Sequence, residues 1–261
     1  MSAAVSSVIE FDVRGYDCGY GGSLGALAIA NFLQEAAGAS AAVLGFGMEA
    51  MDARGWTWML SRLDIRIDEL PREGERVSVM TWPSELRKLF ALRDFVMRGS
   101  DDRSLVRAVY AYLVVDMTAR KPLRPASVFG DDPPFSQKPH PVPDFAFDIP
   151  AALDSVISFE QCVSGRHIDH NGHANNAHIV NWLVDAEAST DASMPAKGGG
   201  GGKLSALRVE FLAEALEGDE LVASRGMAQG SPFGPGAATA STVVELSRGA
   251  AKIARALVGR K

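Results

Sequence analysis

The segment Asn31-Phe32-Leu33-Gln34-Glu35-Ala36 decides the fold, because it returns 150 positions later as Asn181-Trp182-Leu183-Val184-Asp185-Ala186. Both copies read Asn, aromatic residue, Leu, any residue, acidic residue, Ala. A second pair of blocks follows in the same order, 144 positions apart: residues 63–77 (LDIRIDELPREGERV) and residues 207–221 (LRVEFLAEALEGDEL). Two matched blocks in a fixed order predict a duplicated domain of roughly 120 residues, which is within the usual domain size.

Proline marks the joint between the two copies. Residues 131–154 contain DDPPF at their start and four further prolines at positions 139, 141, 143 and 150. Proline at this density breaks regular structure and is typical of an extended linker. We therefore predict a first domain over residues 1–130, a Pro-rich linker over 131–154 and a second domain over 155–261.

Each copy has the pattern of one helix and several antiparallel strands. A short strand is predicted at 7–14 and at 155–164, and it is followed by an apolar helix. The first helix spans about 23–43, with Ser23 as N-cap and Gly45 beyond its end, and it is expected to be buried nearly all round. Alternating segments predict the remaining strands at 56–68, 75–82, 89–98 and 105–117, and at 204–213, 220–229, 237–247 and 250–258. A sheet that buries its apolar face around such a helix is the hotdog arrangement, so the predicted class is α+β with two tandem hotdog domains.

Composition limits the functions available to the chain. It has 261 residues, 47% of them hydrophobic and 22% charged, and a formal net charge of -6. This balance is typical of a globular protein and argues against nucleic-acid binding, which favours a basic surface. Two cysteines, Cys18 and Cys162, supply neither a disulfide framework nor a zinc ribbon. We also expect no signal peptide and no membrane span, and therefore a cytoplasmic location.

The polar segment RHIDHNGHANN at residues 166–176 is the one candidate for a chemical site. Four of the five histidines of the chain lie between positions 167 and 178. Asn171-Gly172 predicts a turn that leads into a helix from about residue 174. A helix start offers N–H groups and a partial positive charge, which stabilise the oxyanion formed when a thioester carbonyl is attacked. Asn171 and His173 could bind that carbonyl or orient a water molecule.

Glu214 is the candidate general base that would accept the proton of this water. It follows a predicted strand in an apolar stretch, FLAEAL, and apolar surroundings would raise its pKa. The internal repeat supports the assignment. Asp169, Asn171, His173 and Glu214 have Gly19, Gly21, Ser23 and Leu70 as their counterparts in the first copy.

These motifs resemble the acyl-ACP thioesterases, the chain-terminating enzymes of fatty acid synthesis. The resemblance covers nearly the whole chain and is most specific at Asp-x-Asn-x-His followed by x-Asn-Asn and Trp182. It implies hydrolysis of fatty acyl-ACP to free fatty acid and ACP, with no cofactor and no metal. It implies catalytic roles for Asp169, Asn171, His173 and Glu214, and an acyl-chain pocket in the first domain around its helix and residues 56–63, with Leu33, Trp56 and Trp58.

One position departs from the family. Plant members have a cysteine directly after the glutamate, and this chain has Ala215 there. A cysteine nucleophile at that position is therefore excluded, whereas activation of water by Glu214 stays open.

Several residues have a second reading. Asn175 and Asn176 either contact the substrate or cap the second helix. His167, His170 and His173 lie three residues apart, which is not the spacing of a closed zinc site, and His170 and His178 are expected to be exposed. Two basic clusters in the first domain are either a solvated face or a docking surface for ACP; they comprise Arg87, Lys88 and Arg93, and Arg120, Lys121 and Arg124.

Other functions compete with hydrolysis of acyl-ACP. An acyl-CoA thioesterase would use the same fold, and the five-glycine run at 198–202 offers it weak support. A hotdog dehydratase fits less well, because its catalytic pair would be shared across the two copies. A non-catalytic acyl-binding regulator is the alternative outside enzymes. Because one chain already holds a pair of hotdogs, we expect a monomer or a homodimer.

Overall fold

The computed structural model describes residues 5–19, 21–130, 133–189, 202–230, 232–234 and 236–261. Of the five-glycine run, only Gly202 falls within these ranges. The chain divides into two compact units, one made of residues 1–24 and 31–145 and the other of residues 25–30 and 146–261. The division after residue 145 falls inside the predicted linker at 131–154.

The first unit is an antiparallel sheet with a long helix. Its strands are β1 (Ser7–Asp12), β2 (Trp56–Ile67), β3 (Arg76–Arg87), β4 (Phe90–Gly99), β5 (Ser104–Asp116) and the short β6 (Lys121–Pro122). Its helices are α2 (Met48–Asp52) and α3 (Pro125–Phe129), together with residues 31–43 of α1 (Ala26–Val43). The strands lie in the order β1-β3-β4-β5-β2, with β6 paired to β5, and every pair is antiparallel.

The second unit repeats this plan. It contains β7 (Ala152–Cys162), α4 (Asn176–Ala188), β8 (Leu204–Phe211), β9 (Glu220–Ala228), β10 (Ala240–Arg248) and β11 (Ala251–Arg260). The strand order is β7-β9-β10-β11-β8, which is the order of the first sheet with each strand replaced by its counterpart. Helix α4 packs against β7, β9, β10 and β11. The predicted α+β double hotdog is therefore confirmed.

Helix α1 differs from its prediction in two respects. It begins at Ala26 rather than Ser23, because Ser23 forms an isolated antiparallel bridge with Arg72. It is also exposed along one side, so the prediction of burial nearly all round was wrong. The exposed positions carry polar or small side chains, apart from the last residue of the helix: Asn31, Gln34, Glu35, Gly38, Ala39, Ala42 and Val43. Its end before Gly45, which has a φ of 79°, agrees with the prediction.

Helix α1 also meets the length and composition of a membrane span. Over its 18 residues the mean hydropathy is 1.2, and 44% of the helix is buried inside the protein. The expectation of no membrane span stays a prediction. A core helix passes the same test, so the observation is weak evidence for a span.

The first sheet has two distinct faces. Its inner face carries Phe11, Thr81, Arg93 and Tyr110, which the antiparallel register places on one side. Phe11 stacks on Phe32 of α1 with ring centroids 4.4 Å apart, so α1 packs against this face. The outer face carries the alternate residues, including the buried side chains of Trp82, Leu92 and Asp94.

Residues 133–145 of the predicted linker lie on this outer face, and the linker's last residues, from Ala152, belong to β7. The Ser136 N–H donates to the carbonyl of Pro83, and the Nζ of Lys138 lies 5.0 Å from the ring centre of Trp82. His140 Nδ1 is 2.8 Å from Oδ2 of Asp94. Residues 133–145 are therefore part of the first unit's packing rather than a free tether.

The buried carboxyl group of Asp94 is expected to make stability depend on pH. Burial raises its pKa to about 6, against the opposing effects of His140 and the Ser84 hydroxyl. An unfolded Asp titrates near ~3.9, so the folded state binds the extra proton between these two values. This contribution to the free energy of unfolding is present below the unfolded pKa and is lost as the pH rises through about 6.

Asp94→Asn should therefore remove part of the pH dependence. Urea unfolding of both proteins, at about pH 5 and about pH 7, should show wild type gaining stability toward acid relative to the variant. Identical pH dependence of the two proteins would contradict the assignment.

Candidate active site

The candidate site is a closed turn that leads into α4. Ile168 and Ala174 form an antiparallel bridge at its base. Within the turn, the Asp169 N–H donates to the carbonyl of His173 at 2.9 Å, and the Gly172 N–H donates to the carbonyl of Asp169 at 3.0 Å. Gly172 has a φ of 83°, a conformation that glycine adopts without strain. The backbone thus fixes where the polar side chains of the turn begin.

The first repeat contains the same turn without the polar side chains. Cys18 and Leu24 form the corresponding bridge, and the Gly19 N–H donates to the carbonyl of Ser23 at 3.0 Å. Gly22, with a φ of 72°, matches Gly172. The fold therefore does not require Asp169, Asn171 and His173, because the same backbone forms in their absence.

Asp169 organises the side chains of the turn. Its Oδ1 accepts the N–H of Asn171 at 2.8 Å and lies 3.7 Å from Nδ1 of His173. The side chains of Asp169 and His173 are 16% and 25% exposed, whereas Asn171 is exposed. Because Nδ1 of His173 faces Asp169, Nε2 is the ring nitrogen left to meet a ligand. The three predicted residues are thus brought together in one turn.

The start of α4 is more fully hydrogen-bonded than predicted. Asn175 is the N-cap, and its Oδ1 accepts the N–H of Ala177 at 2.9 Å, so the capping alternative holds for this residue. The N–H groups of Ala174 and Asn175 donate to the carbonyls of Ala215 and His167. Among the described residues, only the Asn176 N–H of this first turn has no partner. The side chains of the turn must therefore supply most donors to an oxyanion.

Glu214 lies beside the turn, but its surroundings differ from the prediction. The carbonyl of Ala215, which is fully buried, accepts the N–H of Ala174 at 2.7 Å. Glu214 and His173 each stand one residue away from this hydrogen bond. Glu214 itself is exposed, so the predicted apolar surroundings were wrong. In the segment after β8, Ala215 is buried and Glu214 faces outward.

A ring cluster behind the turn was not predicted. The rings of His167, His178 and Trp182 lie 4.9 to 6.0 Å apart. Burial lowers the pKa of both histidines, with a further lowering of the His178 pKa by His167. His178 is therefore partly buried, contrary to the prediction, whereas His170 is exposed as predicted. The spacing of His178 and Trp182, four residues apart on one helix, could have revealed their contact.

The histidines of the turn do not form a metal site in the part of the chain that the structure describes. No group of three His, Cys, Asp or Glu side chains there could hold a metal ion. Nδ1 of His167 accepts the N–H of Ser164 at 3.0 Å, and its ring packs on Trp182. This ring is therefore turned into the second unit's core.

The predicted acyl-pocket residues lie in the first unit. Leu33 of α1 is fully buried, whereas Trp56 and Trp58 of β2 are partly buried. The indole N–H of Trp58 donates to the carbonyl of Phe46 at 2.8 Å, and its ring lies 6.1 Å from that of Phe129. Trp58 thus belongs to an aromatic cluster at the start of β2.

Comparisons with known proteins agree with these observations. Residues 7–128 match the acyl-ACP thioesterase N-terminal domain. The chain is 27% identical over 189 residues to a chloroplastic palmitoyl-acyl carrier protein thioesterase of Gossypium hirsutum, covering 68% of this chain and 46% of that protein. It is 26% identical over 187 residues to a chloroplastic dodecanoyl-[acyl-carrier-protein] hydrolase of Cinnamomum camphora, covering 67% and 49%. The chain thus spans about half the length of the curated relatives it matches.

Solved structures extend the likeness to the whole chain. An acyl-ACP thioesterase from Bacteroides thetaiotaomicron superposes with a TM-score of 0.80 at 23% identity, covering 98% of both chains. A 12:0-ACP thioesterase from Umbellularia californica gives 0.78 at 20% identity, covering 99% of this chain and 98% of the other. Residues 7–128 thus match the N-terminal domain of acyl-ACP thioesterases, and the chain shares the fold of these two solved structures along its whole length.

Proposed function

We propose that this chain hydrolyses fatty acyl-ACP thioesters to free fatty acid and ACP. The observation that carries the proposal is the polar turn of the second unit. Asp169, Asn171 and His173 stand on a backbone that the first unit forms with Gly19, Gly21 and Ser23 instead. The names of the relatives from Gossypium hirsutum and Cinnamomum camphora support the choice of an ACP-bound substrate.

The geometry supports attack by water on the thioester carbon. Asn171 and His173 would donate hydrogen bonds to the carbonyl oxygen as it gains negative charge, with Asp169 holding the turn in place. Glu214 would accept a proton from the attacking water, whose oxygen forms the new bond to carbon. The carbon–sulfur bond then breaks, and the proton held by Glu214 passes to the leaving thiolate.

ACP recognition is part of this proposal. Arg120, Lys121 and Arg124 are exposed around β6, and they form the basic cluster that remains available for an acidic partner. The other predicted cluster does not form one basic surface, because Arg93 lies on the inner face of the sheet and Arg87 pairs with Glu85 at 3.0 Å. Reversing Arg120 and Lys121 to glutamate should therefore weaken turnover of acyl-ACP by about tenfold or more.

The experiment is a measurement of thiol release from acyl-ACP and from the matching acyl-CoA. Rapid release from acyl-ACP, with the Arg120→Glu, Lys121→Glu double variant impaired on ACP only, would support both substrate and docking surface. Equal loss on both substrates would contradict the docking surface. A preference for acyl-CoA would favour the acyl-CoA thioesterase alternative, and tight binding without release would favour an acyl-binding regulator.

The remaining parts of the proposal follow from the same reaction. Release of free fatty acid from ACP belongs to fatty acid biosynthesis, and we propose that it takes place in the cytoplasm. A monomer or homodimer is expected, which light scattering of the purified protein would decide.

A further inference from the structure

Three polar side chains gather on the inner face of the first sheet. Arg93 of β4 stands directly opposite Tyr110 of β5, and Tyr112 follows two residues along the same strand. This is the face against which α1 packs, and the ring of Tyr110 lies 4.8 Å from that of Phe95. A guanidinium and two phenols thus occupy a place where apolar side chains usually fill the space between sheet and helix.

Arg93 has no counter-ion in the part of the chain that the structure describes. Its one hydrogen bond there runs to Oγ1 of Thr81 at 3.4 Å, which is long for such a contact. Burial lowers its pKa to about 10. A buried charge is strongly disfavoured unless an opposite charge or a hydrogen-bond acceptor pairs with it. The described residues supply no counter-ion for Arg93.

The buried hydroxyl of Tyr110 also lacks a partner in the described part of the chain. Tyr110 is 1% exposed, and its hydroxyl has no hydrogen-bond partner among the described residues. Burial raises the pKa of Tyr112, and the positive charge of Arg93 opposes this rise, which places the phenol near the guanidinium. Because buried polar groups are nearly always hydrogen-bonded, the hydroxyl of Tyr110 and the guanidinium of Arg93 indicate that an acceptor is missing.

The cluster lies close to Trp58, one of the predicted acyl-pocket residues. Arg93 and Tyr112 keep some accessible surface, whereas Tyr110 is buried. The ring of Tyr112 lies 6.0 Å from Trp58 and 6.2 Å from Tyr110. An acyl chain resting against Trp58 would therefore have these polar groups within its reach.

We propose that the first unit contains a subsite for an oxygen atom carried along the acyl chain, with Arg93 and Tyr110 donating hydrogen bonds to it. The ligand class is an acyl chain with a hydroxyl, oxo or carboxylate group away from the thioester. The inference rests on the proposed function, because it takes the acyl chain of that reaction as its ligand. A plain hydrocarbon chain would leave both donors unpaired.

The test compares thioesters of equal chain length that are unsubstituted, hydroxylated, oxo-substituted or terminated by a carboxylate. Wild type should release thiol from at least one oxygenated chain about ten- to a hundredfold more efficiently than from the plain chain, which is the range of a charge-assisted hydrogen bond. Arg93→Met should abolish this preference, and Arg93→Lys should retain part of it. The preferred arm identifies the oxygen group.

Two further variants guard against a folding artefact. Tyr110→Phe removes only the unpaired hydroxyl, so it should lower the preference several-fold without harming stability. Arg98→Met, at an exposed position of β4 paired with Asp102, should leave the preference unchanged. A wild-type preference for plain chains, with longer chains accepted by Arg93→Met, would overturn the subsite.

Calorimetric titration of the free acids separates this inference from the proposed function. If the protein cleaves no thioester but binds the oxygenated acid more tightly, in a way that depends on Arg93, the proposed function is contradicted and the subsite is supported. If it cleaves thioesters but binds plain and oxygenated acids equally, the proposed function is supported and the subsite is contradicted.

Discussion

Glu214→Gln is expected to reduce kcat on the preferred acyl thioester by a hundredfold or more. A positioned general base contributes about 10²–10⁴ to the rate, and glutamine keeps the size of the side chain but cannot accept the proton. Because Glu214 is exposed, the substitution should leave the free energy of unfolding within about 0.5 kcal/mol of wild type. The measurements are steady-state thiol release and urea unfolding of the same preparations.

Glu220→Gln is the matched control for this variant. Glu220 is also exposed, lies six residues further along the chain at the start of β9, and has no place in the proposed chemistry. Its activity should stay within about twofold of wild type. A Glu214→Gln protein as active as this control would remove Glu214 from the mechanism and require another base.

His173→Ala should have an effect of comparable size and a different kinetic form. Loss of one donor to a developing oxyanion costs about 10²–10³ in kcat, because the interaction is strongest in the transition state. KM should change little, since the acyl chain binds elsewhere in the proposed scheme. The variant should fold normally, because the first unit builds the same turn with a serine at this place. Kinetics over a range of substrate concentrations separate kcat from KM.

Ser23→Ala provides the control from within the molecule. Ser23 occupies the counterpart of His173, and its carbonyl accepts the same kind of backbone hydrogen bond from Gly19. The proposed assignment of chemistry to the second unit expects no kinetic effect from this change. Similar losses of kcat in Ser23→Ala and His173→Ala would mean that both turns contribute to catalysis.

The repeat made most of the fold predictable from the sequence. Matched blocks around Asn31 and Asn181 indicated two copies of one plan, and period-two alternation located the longer strands of each sheet within a few residues. The exceptions are β3, which runs five residues further, and the short β6, which was not predicted. The turn at Asn171-Gly172 and its polar side chains were also readable, because turn chemistry is local. Local signals of this kind survive without knowledge of the neighbours.

Features that depend on distant neighbours could not be read in this way. The stretch around Glu214 looked apolar, but the outward direction of its side chain follows from how the segment after β8 meets the turn. Arg93 looked like a surface charge beside Arg87, yet a register shift between β3 and β4 at Pro83 separates the faces on which they lie. The linker prolines indicated an extended chain, but they could not show that residues 133–145 cover the outer face of the first sheet.

The seating of residues 133–145 on the outer face determines where the molecule can be cut and recombined. A shortened chain that ends at residue 130 would strip the cover from Trp82 and leave the carboxyl of Asp94 without His140. Chimaeras that exchange one half with a relative should therefore be joined after residue 145, so that each first half keeps the segment 133–145 that covers its outer face.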